Sequence, residues 1–392
     1  MDKNKKMKLL FVTHKYPPSI GGMENHCFEL YNGISSKIDI VMLKFPDNAS
    51  RVWWLITLSK RVRRVLETDK DITHVYFNDG LTGLCCRSIK KYSNVKTIVT
   101  FHGLDAVYPN KVYQKAVCDN LKNGIDAVIA VSRATASECI KRGAALSKVH
   151  VVPNGIAPSL KKVKLREDFL PELEEKLGVS LKDKKILVSV GRSIKRKGFS
   201  WFLNNVLPEL GSDIVYIMVG PRDKGLGKKL FFMNLLPKSI SRQIWLTGIG
   251  IDQANIDKSL SKPSLSGRAF HLGSISSSDL EQILRASYAF IMPNIHVEGD
   301  AEGFGIVALE AAMSGTAVLA SNIEGITEAV HDGKNGIFVE AENKGAWLET
   351  INSICASPAL REEIASKAAS YTEGHFSWAK MANDYLKIIT EL

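Results

Sequence analysis

Short runs of Val, Ile and Leu alternate with longer amphipathic stretches along almost the whole chain. In the first half these runs are bounded by Gly or polar residues, and they are Leu9–Thr13, Ile38–Leu43, His74–Phe77, Thr97–Phe101, Ala127–Val131 and Val149–Val152. Helical patterns such as Met23–Ile34 and Lys111–Leu121 lie between them. This order predicts strands joined by helices, which is typical of a parallel sheet covered on both faces.

A second series of the same kind begins after Pro153-Asn154-Gly155 and a charged stretch, Lys161 to Lys176, which we interpret as a linker. Its predicted strands are Ile186–Val190, Ile214–Val219, Ile244–Leu246, Ala269–Leu272, Ala289–Met292, Ala317–Ala320 and Gly336–Val339. Residues 220–263 are longer than a plain crossover and are interpreted as an insertion. The chain ends in a helical pattern from Trp378 to Leu392, for which Ser377 is the expected N-cap.

The sequence therefore predicts an α/β protein with two doubly wound, Rossmann-like parallel-sheet domains that face a central cleft. We expect the first domain at residues 1–160 and the second at 161–375, and we expect the final helix, 376–392, to pack back on the first domain. In sheets of this kind ligands bind at the carboxyl ends of the strands. The candidate functional motifs all follow predicted strands.

Charge is distributed unevenly between the two halves. Residues 1–150 contain 24 Lys and Arg against 13 Asp and Glu, whereas residues 151–392 contain 28 of each, so the net charge of +11 lies in the first half. This excess indicates either an anionic partner for the first domain or a basic solvated face. No recognised nucleic-acid-binding motif is present, so nucleic acid is not the expected partner.

The six cysteines show neither a CxxC pair nor a Cys/His cluster of zinc spacing, so they are expected to be reduced and mostly buried. No apolar run reaches the roughly 18 residues of a membrane span. The apolar run Leu9–Val12 is too short for the core of a signal peptide. We therefore expect a cytoplasmic protein.

Two glutamates lie eight positions apart in Glu302-Gly303-Phe304-Gly305-Ile306-Val307-Ala308-Leu309-Glu310. Glycines followed by helix-forming residues predict a loop that leads into a helix N-terminus, where free N–H groups favour an anion. Glu302 is expected in the loop and Glu310 about two turns into the helix. Carboxylates beside an anion fit a nucleotide sugar, whose hydroxyls they can bind, although two surface glutamates are the simpler alternative.

A basic loop, residues 191–198, follows the predicted strand Ile186–Val190. Arg192 offers a planar fork of donors and Lys197 a compact charge, a pair suited to a departing diphosphate. A solvated basic loop is the alternative.

Two further motifs follow strands of the first half. The paired glycines Gly21-Gly22 let backbone amides approach a phosphate or sugar closely, unless they form only a plain turn. His102 stands at a strand end, from where it could bond a sugar hydroxyl, although a lone histidine is more often structural. The loop with His296, Glu298 and Asp300 lacks a fourth ligand, so no metal is expected.

These motifs resemble the retaining GT-B glycosyltransferases of family 4. Glu302 to Glu310 matches that family's EX7E signature, and residues 331–336 match its DGxNG segment. Other motifs also occur in the family's order, namely Gly21-Gly22, His102-Gly103, Pro153-Asn154-Gly155, Gly191-Arg192 and Lys197-Gly198. The resemblance covers nearly the whole chain and is firmest over residues 186–340.

The resemblance implies a role for each of these residues toward the donor. Arg192 and Lys197 would hold the donor diphosphate, Gly21 and Gly22 would line its phosphate side and the acceptor side, and Glu310 would bond the ribose hydroxyls. The family retains the anomeric configuration. It generally needs no metal, and no cofactor is expected.

At the sugar end, Glu302 and the amides of Gly303, Phe304 and Gly305 would hold the donor hexose, and His102 would contact it near its anomeric carbon. The leaving phosphate is thought to help deprotonate the acceptor, so no general base is named. The expected catalytic residues are therefore His102 and Glu302.

The sequence says less about the identity of the donor and the acceptor than about the family. Glu298 and Asp300 resemble the phosphatidylinositol-mannoside mannosyltransferase subgroup and favour GDP-mannose, while UDP-linked donors stay open. The chain departs from the family at Glu324-Gly325, where many relatives have Gly-Gly. The family implies a lipid-linked or polysaccharide acceptor in the synthesis of cell-surface polysaccharide, lipopolysaccharide or glycolipid. A nucleotide-sugar epimerase and a catalytically silent sugar-nucleotide-binding protein are the alternatives.

Trp53 and Trp54 precede the basic run Lys60–Arg64 within a helical pattern. Tryptophans beside cations suit a membrane interface, so residues 51–64 predict contact with an anionic inner membrane surface. A core-packed helix with a solvated basic side is the alternative.

Overall fold

A computed structural model describes residues 7–19, 21–46, 49–92, 94–222 and 252–392. The described residues form two compact units. Unit 1 draws on Met1–Gly155, Glu302–Phe304 and Phe376–Leu392, and unit 2 on Ile156–Ala301 and Gly305–His375. The predicted strand Ile244–Leu246 and most of the predicted insertion lie outside the described residues.

The sheet of unit 1 has six strands, β1 (Lys8–Thr13), β2 (Asp39–Lys44), β3 (His74–Phe77), β4 (Lys96–Phe101), β5 (Ala127–Ala130) and β6 (Val149–Val151). Their order is β2-β1-β3-β4-β5-β6, and every pair is parallel. The winding reverses between β1 and β3, which makes their carboxyl ends a topological switch point.

The first six helices are α1 (Gly22–Ser35), α2 (Arg51–Thr68), α3 (Cys86–Ile89), α4 (Leu104–Val107), α5 (Lys111–Asn123) and α6 (Arg133–Lys141). Helix α2 packs on one face of the sheet through residues four apart, Trp54, Leu58, Val62 and Leu66. Helix α5 joins the same apolar cluster through Val117 and Leu121, whereas α1 packs on the opposite face through Leu30 and Ile34.

The sheet of unit 2 also has six described strands, β7 (Lys185–Val190), β8 (Ile214–Val219), β9 (Ala269–His271), β10 (Ala289–Met292), β11 (Ala317–Ser321) and β12 (Ile337–Val339). Their order is β12-β11-β10-β7-β8-β9, again with parallel pairs throughout. Here the switch point lies between β7 and β10. All twelve strands agree with the predicted ones to within one residue at each end.

The helices that belong to unit 2 are α7 (Phe169–Leu177), α8 (Phe199–Asn205), α9 (Gln253–Leu260), α10 (Ser277–Ala286), α11 (Ile306–Met313), α12 (Ile326–Ala329), α13 (Lys344–Ala356) and α14 (Pro358–His375). Helix α7 corrects the predicted linker at 161–176, because the whole second half of that stretch is helical. Phe169 and Leu173 lie one turn apart and are buried in the core of unit 2, so the charges there form the outer side of a packed helix.

The last helix, α15 (Trp378–Thr390), packs on α1 of unit 1, as the fold prediction expected. The hydroxyl of Ser377 accepts the N–H of Lys380 at 3.1 Å, which confirms the predicted N-cap. Met381, Tyr385 and Ile389 recur every four residues and are buried. Burying each such side chain contributes roughly 1.5–3 kcal/mol to folding, so α15 is an integral part of unit 1. All six cysteines are free, and four of them are buried, as expected.

Candidate active site

Two loops leave the switch point of unit 2, residues 191–198 after β7 and residues 293–301 after β10. The N–H of Ile295 donates to the carbonyl of Arg196 at 2.9 Å. The guanidinium Nε of Arg196 lies 3.1 Å from Oδ1 of Asp300, and both side chains are buried. One main-chain bond and one ion pair therefore join the loop of Arg192 and Lys197 to the loop that runs into Glu302.

Arg196 and Asp300 are functional candidates that the sequence analysis did not assign. Arg196 lies in the basic loop beside the two chosen cations, and Asp300 was considered only as a metal ligand and as one of two acids that favour GDP-mannose. The available signal was an opposite pair of charges in two loops that follow predicted strands, but the sequence does not show that these strands are neighbours. An unpaired buried charge is costly, so Arg196 and Asp300 each need the other as a partner. Their ion pair therefore holds the two loops together.

Arg192 and Lys197 are more exposed to solvent than Arg196. Arg192 is exposed, and Lys197 is partly exposed in a short 3-10 turn over Lys195–Lys197. The aliphatic part of Lys197 lies against Gly191, where an added Cβ would stand 3.0 Å from Lys197 Cε. Both cations therefore lie beyond the carboxyl end of β7, where α/β sheets bind their ligands.

Gly305 begins the helix of the EX7E segment. Its φ of 95° is left-handed, a conformation that glycine adopts at little cost, and α11 starts at the next residue. This confirms the predicted glycine-dependent turn. Glu310 is only four residues into α11, about one turn, which corrects the predicted two turns. Burial, with a smaller contribution from the charge of Glu281, raises the pKa of Glu310 to about 7.

The departure at Glu324 has a structural explanation. Glu324 adopts a left-handed φ of 51°, the conformation that a glycine at this position would adopt most easily. Its carboxylate lies 3.4 Å from Nδ1 of His296. The loop before α12 therefore keeps a glycine-like backbone and adds a carboxylate to it.

In unit 1, His102 follows β4 and is held through both its ring and its main chain. Nε2 of His102 lies 2.7 Å from the carbonyl oxygen of Asn78, which can only accept, so Nε2 carries a proton. In the neutral ring Nδ1 is then the acceptor. The carboxylate of Asp105 accepts the N–H of His102 at 2.7 Å and that of Gly80 at 2.9 Å. Burial raises the pKa of the Asp105 carboxyl.

The segment Glu302–Phe304 belongs to unit 1, although its chain neighbours on both sides belong to unit 2. Gly303 lies directly on the main chain of His102, because a Cβ at Gly303 would overlap the His102 carbonyl oxygen. The ring of Phe304 is buried and packs edge-on against Phe376, with 6.1 Å between centroids. The structure thus brings together His102 and Gly303, two residues that the resemblance assigned to the donor sugar.

A buried series of polar contacts runs from the C-terminal helix to the strand ends beside His102. Tyr385 of α15 lies 3.3 Å from Nε2 of His26 and 3.0 Å from the hydroxyl of Thr100. Thr100 lies 2.9 Å from the hydroxyl of Tyr76, which donates to Oδ1 of Asn78 at 3.2 Å. The carbonyl of the same Asn78 accepts the hydrogen bond from Nε2 of His102.

The His26 end of this series is a neutral ring, because burial, followed by the nearby His102, lowers the pKa of His26 to about 3. Nδ1 of His26 lies 2.7 Å from Oδ1 of Asn154, which can only accept, so Nδ1 carries the proton of the ring. Nε2 of His26 is then the acceptor for the hydroxyl of Tyr385.

The switch point of unit 1 joins two strand ends through an imidazole and a carboxylate. Nε2 of His14, after β1, lies 3.2 Å from Oδ2 of Asp79, after β3. Burial alone would raise the pKa of Asp79, but the proximity of His14 outweighs it and the pKa is lowered. Neither residue was singled out from the sequence, because nothing local to His14 or Asp79 marks them as neighbours.

The paired glycines stand at the start of α1, where Gly21 precedes the first helical residue, Gly22. The carboxylate of Glu24 lies against Gly21 and pairs with Nζ of Lys15 at 3.1 Å. The glycine pair therefore has a cation and an anion beside it, both of which can bind polar groups of a ligand.

Within the described ranges, no three His, Cys, Asp or Glu side chains are grouped so that they could hold a metal ion. Over the same residues, no helix combines the length and the apolar character needed to cross a membrane.

Comparison with models of known protein families identifies the family of this chain. Residues 172–371, more than half of the chain, match the model described as glycosyl transferases group 1, and residues 20–160 match that of glycosyltransferase family 4. The chain belongs to the group 1 glycosyltransferases. The resemblance inferred from the motifs is thereby confirmed at the level of the family, and the protein is a glycosyltransferase.

Individual relatives match nearly the whole length of the chain. The glycosyltransferase is 25% identical to alpha-maltose-1-phosphate synthase of Mycolicibacterium smegmatis, over 97% of this chain and 98% of that protein. Its fold matches the crystal structure of Anabaena Alr3699/HepE in complex with UDP-glucose, with a TM-score of 0.74, 18% identity and coverage of 98% and 100%. Sucrose-phosphate synthase from Thermosynechococcus elongatus gives the same TM-score and identity, with coverage of 98% and 99%. These matches confirm the predicted GT-B fold class.

Proposed function

We propose that this glycosyltransferase moves a hexose from a nucleotide-diphosphate sugar to a lipid-linked or polysaccharide acceptor, with retention of anomeric configuration. The observation that carries the proposal is the pair of joined loops at the switch point of unit 2. They place Arg192 and Lys197 beyond the end of β7 and continue into the EX7E segment. Two cations on a fixed loop suit a leaving group that gains negative charge as the glycosidic bond breaks.

The remaining residues take the parts that the family resemblance implied. Glu310 accepts the ribose hydroxyls, and Glu302 with the amides of Gly303, Phe304 and Gly305 holds the hexose. His102 contacts the hexose near its anomeric carbon, with its ring held by the carbonyl of Asn78 and its main chain by the carboxylate of Asp105. Gly21 and Gly22 line the phosphate and acceptor side. No metal or cofactor takes part in this proposal.

A UDP-linked hexose is the donor we favour, and GDP-mannose is the second candidate. The Anabaena protein with the same fold was crystallised with UDP-glucose, which supports a uridine donor by analogy. The GDP-mannose expectation drew on Glu298 and Asp300, and Asp300 is engaged with Arg196. That engagement removes one of the two acids on which the mannosyl subgroup was favoured.

Thermal unfolding with a panel of UDP, GDP and ADP sugars tests the donor, because a ligand of the folded state raises the melting temperature. At about one hundred times its Kd, a ligand adds roughly 2.7 kcal/mol to the free energy of unfolding. We expect UDP-hexoses to give the largest shift and to release UDP when an acceptor is present. A larger shift with GDP-mannose would reverse the order of the two candidates.

The same samples separate the rival functions. An epimerase would convert the donor sugar without any acceptor, which chromatography of the nucleotide sugars would detect. A catalytically silent binding protein would show the thermal shift but release no nucleoside diphosphate with any acceptor extract. Either result would overturn the proposed transfer reaction.

A further inference from the structure

Helix α2 of unit 1 has an exposed face that is both apolar and basic. Of its two tryptophans, Trp54 is buried against the sheet, whereas Trp53 is 67% exposed. Val52 and Ile56 beside it are each 65% exposed. Single exposed apolar side chains are ordinary, but three within five residues of one helix form a patch that is typical of an interaction surface.

Cations continue the same face along the helix. Trp53, Ile56, Lys60 and Arg64 recur at intervals of three or four residues, so they share one side of α2. Lys60, Arg61 and Arg64 are exposed. The helix has no Asp or Glu before Glu67, so no acid of α2 offsets these charges over its first sixteen residues.

The fold places this face at the edge of the sheet where the candidate site of unit 1 lies. Helix α2 follows β2, so its first turns, with Trp53, lie at the carboxyl ends of the strands, where β4 delivers His102. Helix α5 begins at the same edge and packs on the same face of the sheet. Its first turn carries Val112, which is 80% exposed, between exposed Lys111 and the exposed Lys115 one turn on.

We propose that residues 51–64 of helix α2 dock on the surface of a lipid bilayer that contains anionic lipid. Trp53, Val52 and Ile56 enter the headgroup region, while Lys60, Arg61 and Arg64 pair with anionic headgroups. A free phosphate or a nucleic acid would use these cations but leave the three apolar side chains in water. Docking goes beyond sugar transfer, because it brings the carboxyl edge of unit 1 to the surface in which a lipid-linked acceptor resides.

Co-sedimentation of the full chain with vesicles tests the docking, without donor or acceptor. We expect binding to vesicles of phosphatidylcholine mixed with phosphatidylglycerol, little binding to phosphatidylcholine alone, and release as the salt concentration rises. Lys60→Gln with Arg64→Gln should weaken binding about 25-fold, since each cation near an anionic surface contributes about fivefold. Trp53→Ser should weaken it about tenfold through the lost apolar burial.

Matched variants place the contact on α2. Leu146 is 76% exposed on the same unit but precedes β6, at the opposite edge of the sheet, so Leu146→Ser should bind as the unchanged protein does. Lys182→Gln, an exposed lysine of unit 2, controls for the loss of charge. Equal melting temperatures of all variants would exclude misfolding as the cause of weaker binding.

Four results would overturn the proposal. The first three are absence of binding to any vesicle, equal binding to neutral and anionic vesicles, and equal losses in the α2 variants and their controls. The fourth is release by soluble glycerol phosphate at the same phosphate concentration, because the cations would then form an anion site and not a bilayer contact. None of these measurements uses enzyme activity, so their failure is distinct from failure of the proposed sugar transfer.

Discussion

The two switch points of this glycosyltransferase are built alike and charged differently. In unit 2 the loops after β7 and β10 are joined by Arg196 and Asp300, and in unit 1 the segments after β1 and β3 are joined by His14 and Asp79. A guanidinium stays protonated at every physiological pH and offers several donors. The junction in unit 2 therefore contains a fixed positive charge, whereas the one in unit 1 is a contact between one nitrogen of an imidazole and a carboxylate.

This difference fits the work proposed for each unit. In the proposed function unit 2 holds a diphosphate, so a loop already fixed by a balanced ion pair can present Arg192 and Lys197 as its excess charge. Unit 1 places beside His102 the neutral imidazole of His26, whose pKa is lowered to about 3, and the carboxyl of Asp105, which accepts the main-chain N–H of His102. The comparison teaches that one architecture can provide cations in one copy and hydrogen-bonding groups around an imidazole in the other.

Breaking the ion pair of unit 2 should have the largest effect on stability. Arg196→Leu leaves the buried Asp300 without its guanidinium and should lower the free energy of unfolding by about 3–5 kcal/mol, measured by urea denaturation. Arg196→Leu combined with Asp300→Leu should recover most of that loss, since no buried charge is left. A double variant as unstable as the single one would show that the loops depend on packing and not on the ion pair.

Substitutions at the two edges should separate donor chemistry from sugar positioning. Lys197→Ala should lower kcat about 10²–10³-fold, because charge on the leaving diphosphate loses a stabilising group. Glu302→Ala should lower kcat about 10²-fold through lost positioning of the hexose, with less change in KM. Lys195→Ala, an exposed lysine of the same basic loop, is the control and should keep the original kinetics. Unchanged kinetics in both site variants would refute these roles.

Glu310 should link donor binding to pH. Its pKa is raised from 4.5 to about 7, so the folded protein holds a proton that the unfolded chain has lost between these values. The protein therefore loses stability as the pH rises through this window. At about pH 8, Glu310→Gln should be more stable than the original protein by up to about 3 kcal/mol.

The same substitution should weaken binding of the donor. An ionised Glu310 accepts ribose hydroxyls, so calorimetric donor affinity of the original protein should rise as the pH passes about 7. Glu310→Gln should bind the donor more weakly and lose this pH dependence. A steep pH profile that survives the substitution would assign the titration to another group.

Tyr385 should give the smallest effect, because it acts on His102 only through other side chains. Tyr385→Phe removes one hydroxyl from the series that ends at Asn78 and should cost about 1 kcal/mol of stability. We expect kcat to fall a few-fold while KM stays the same. Tyr92→Phe, which removes a hydroxyl bonded to Glu67 on the surface of unit 1, is the matched control. Equal losses in both variants would reduce Tyr385 to a packing residue.

Local sequence patterns predicted the strands and most helices of this fold. They did not predict contacts between residues that are distant in the sequence. Runs such as Ile214–Val219 identify strands because β-branched residues and flanking Gly mark both ends. The charged stretch 161–176 was wrongly predicted as a linker. Two apolar residues, Phe169 and Leu173, are enough to pack a helix on the core of unit 2, although most of its other residues are charged. Pairing of Arg196 with Asp300 depends on strand order, which no local pattern contains.

The positions of the candidate residues in the fold were predicted to a similar extent. Glycine-rich turns after strands selected Arg192, His102 and Glu302 as candidates, because ligands of α/β sheets bind at strand ends. His26 and Tyr385 were not predicted, since they lie 359 residues apart and meet only when the last helix reaches α1. Glu310 was placed one turn too deep because the start of α11 depends on the left-handed turn at Gly305.

The placement of α15 has a consequence for the order in which this chain can fold. Leu30 and Ile34 of α1 share their apolar cluster with Met381, Tyr385 and Ile389, which follow unit 2 in the chain. During synthesis, that side of the first sheet stays uncovered while the residues of unit 2 are made. A nascent chain stalled before Trp378 would expose this apolar surface, and a chaperone that binds such surfaces would recognise unit 1 until α15 has been made and has packed on α1.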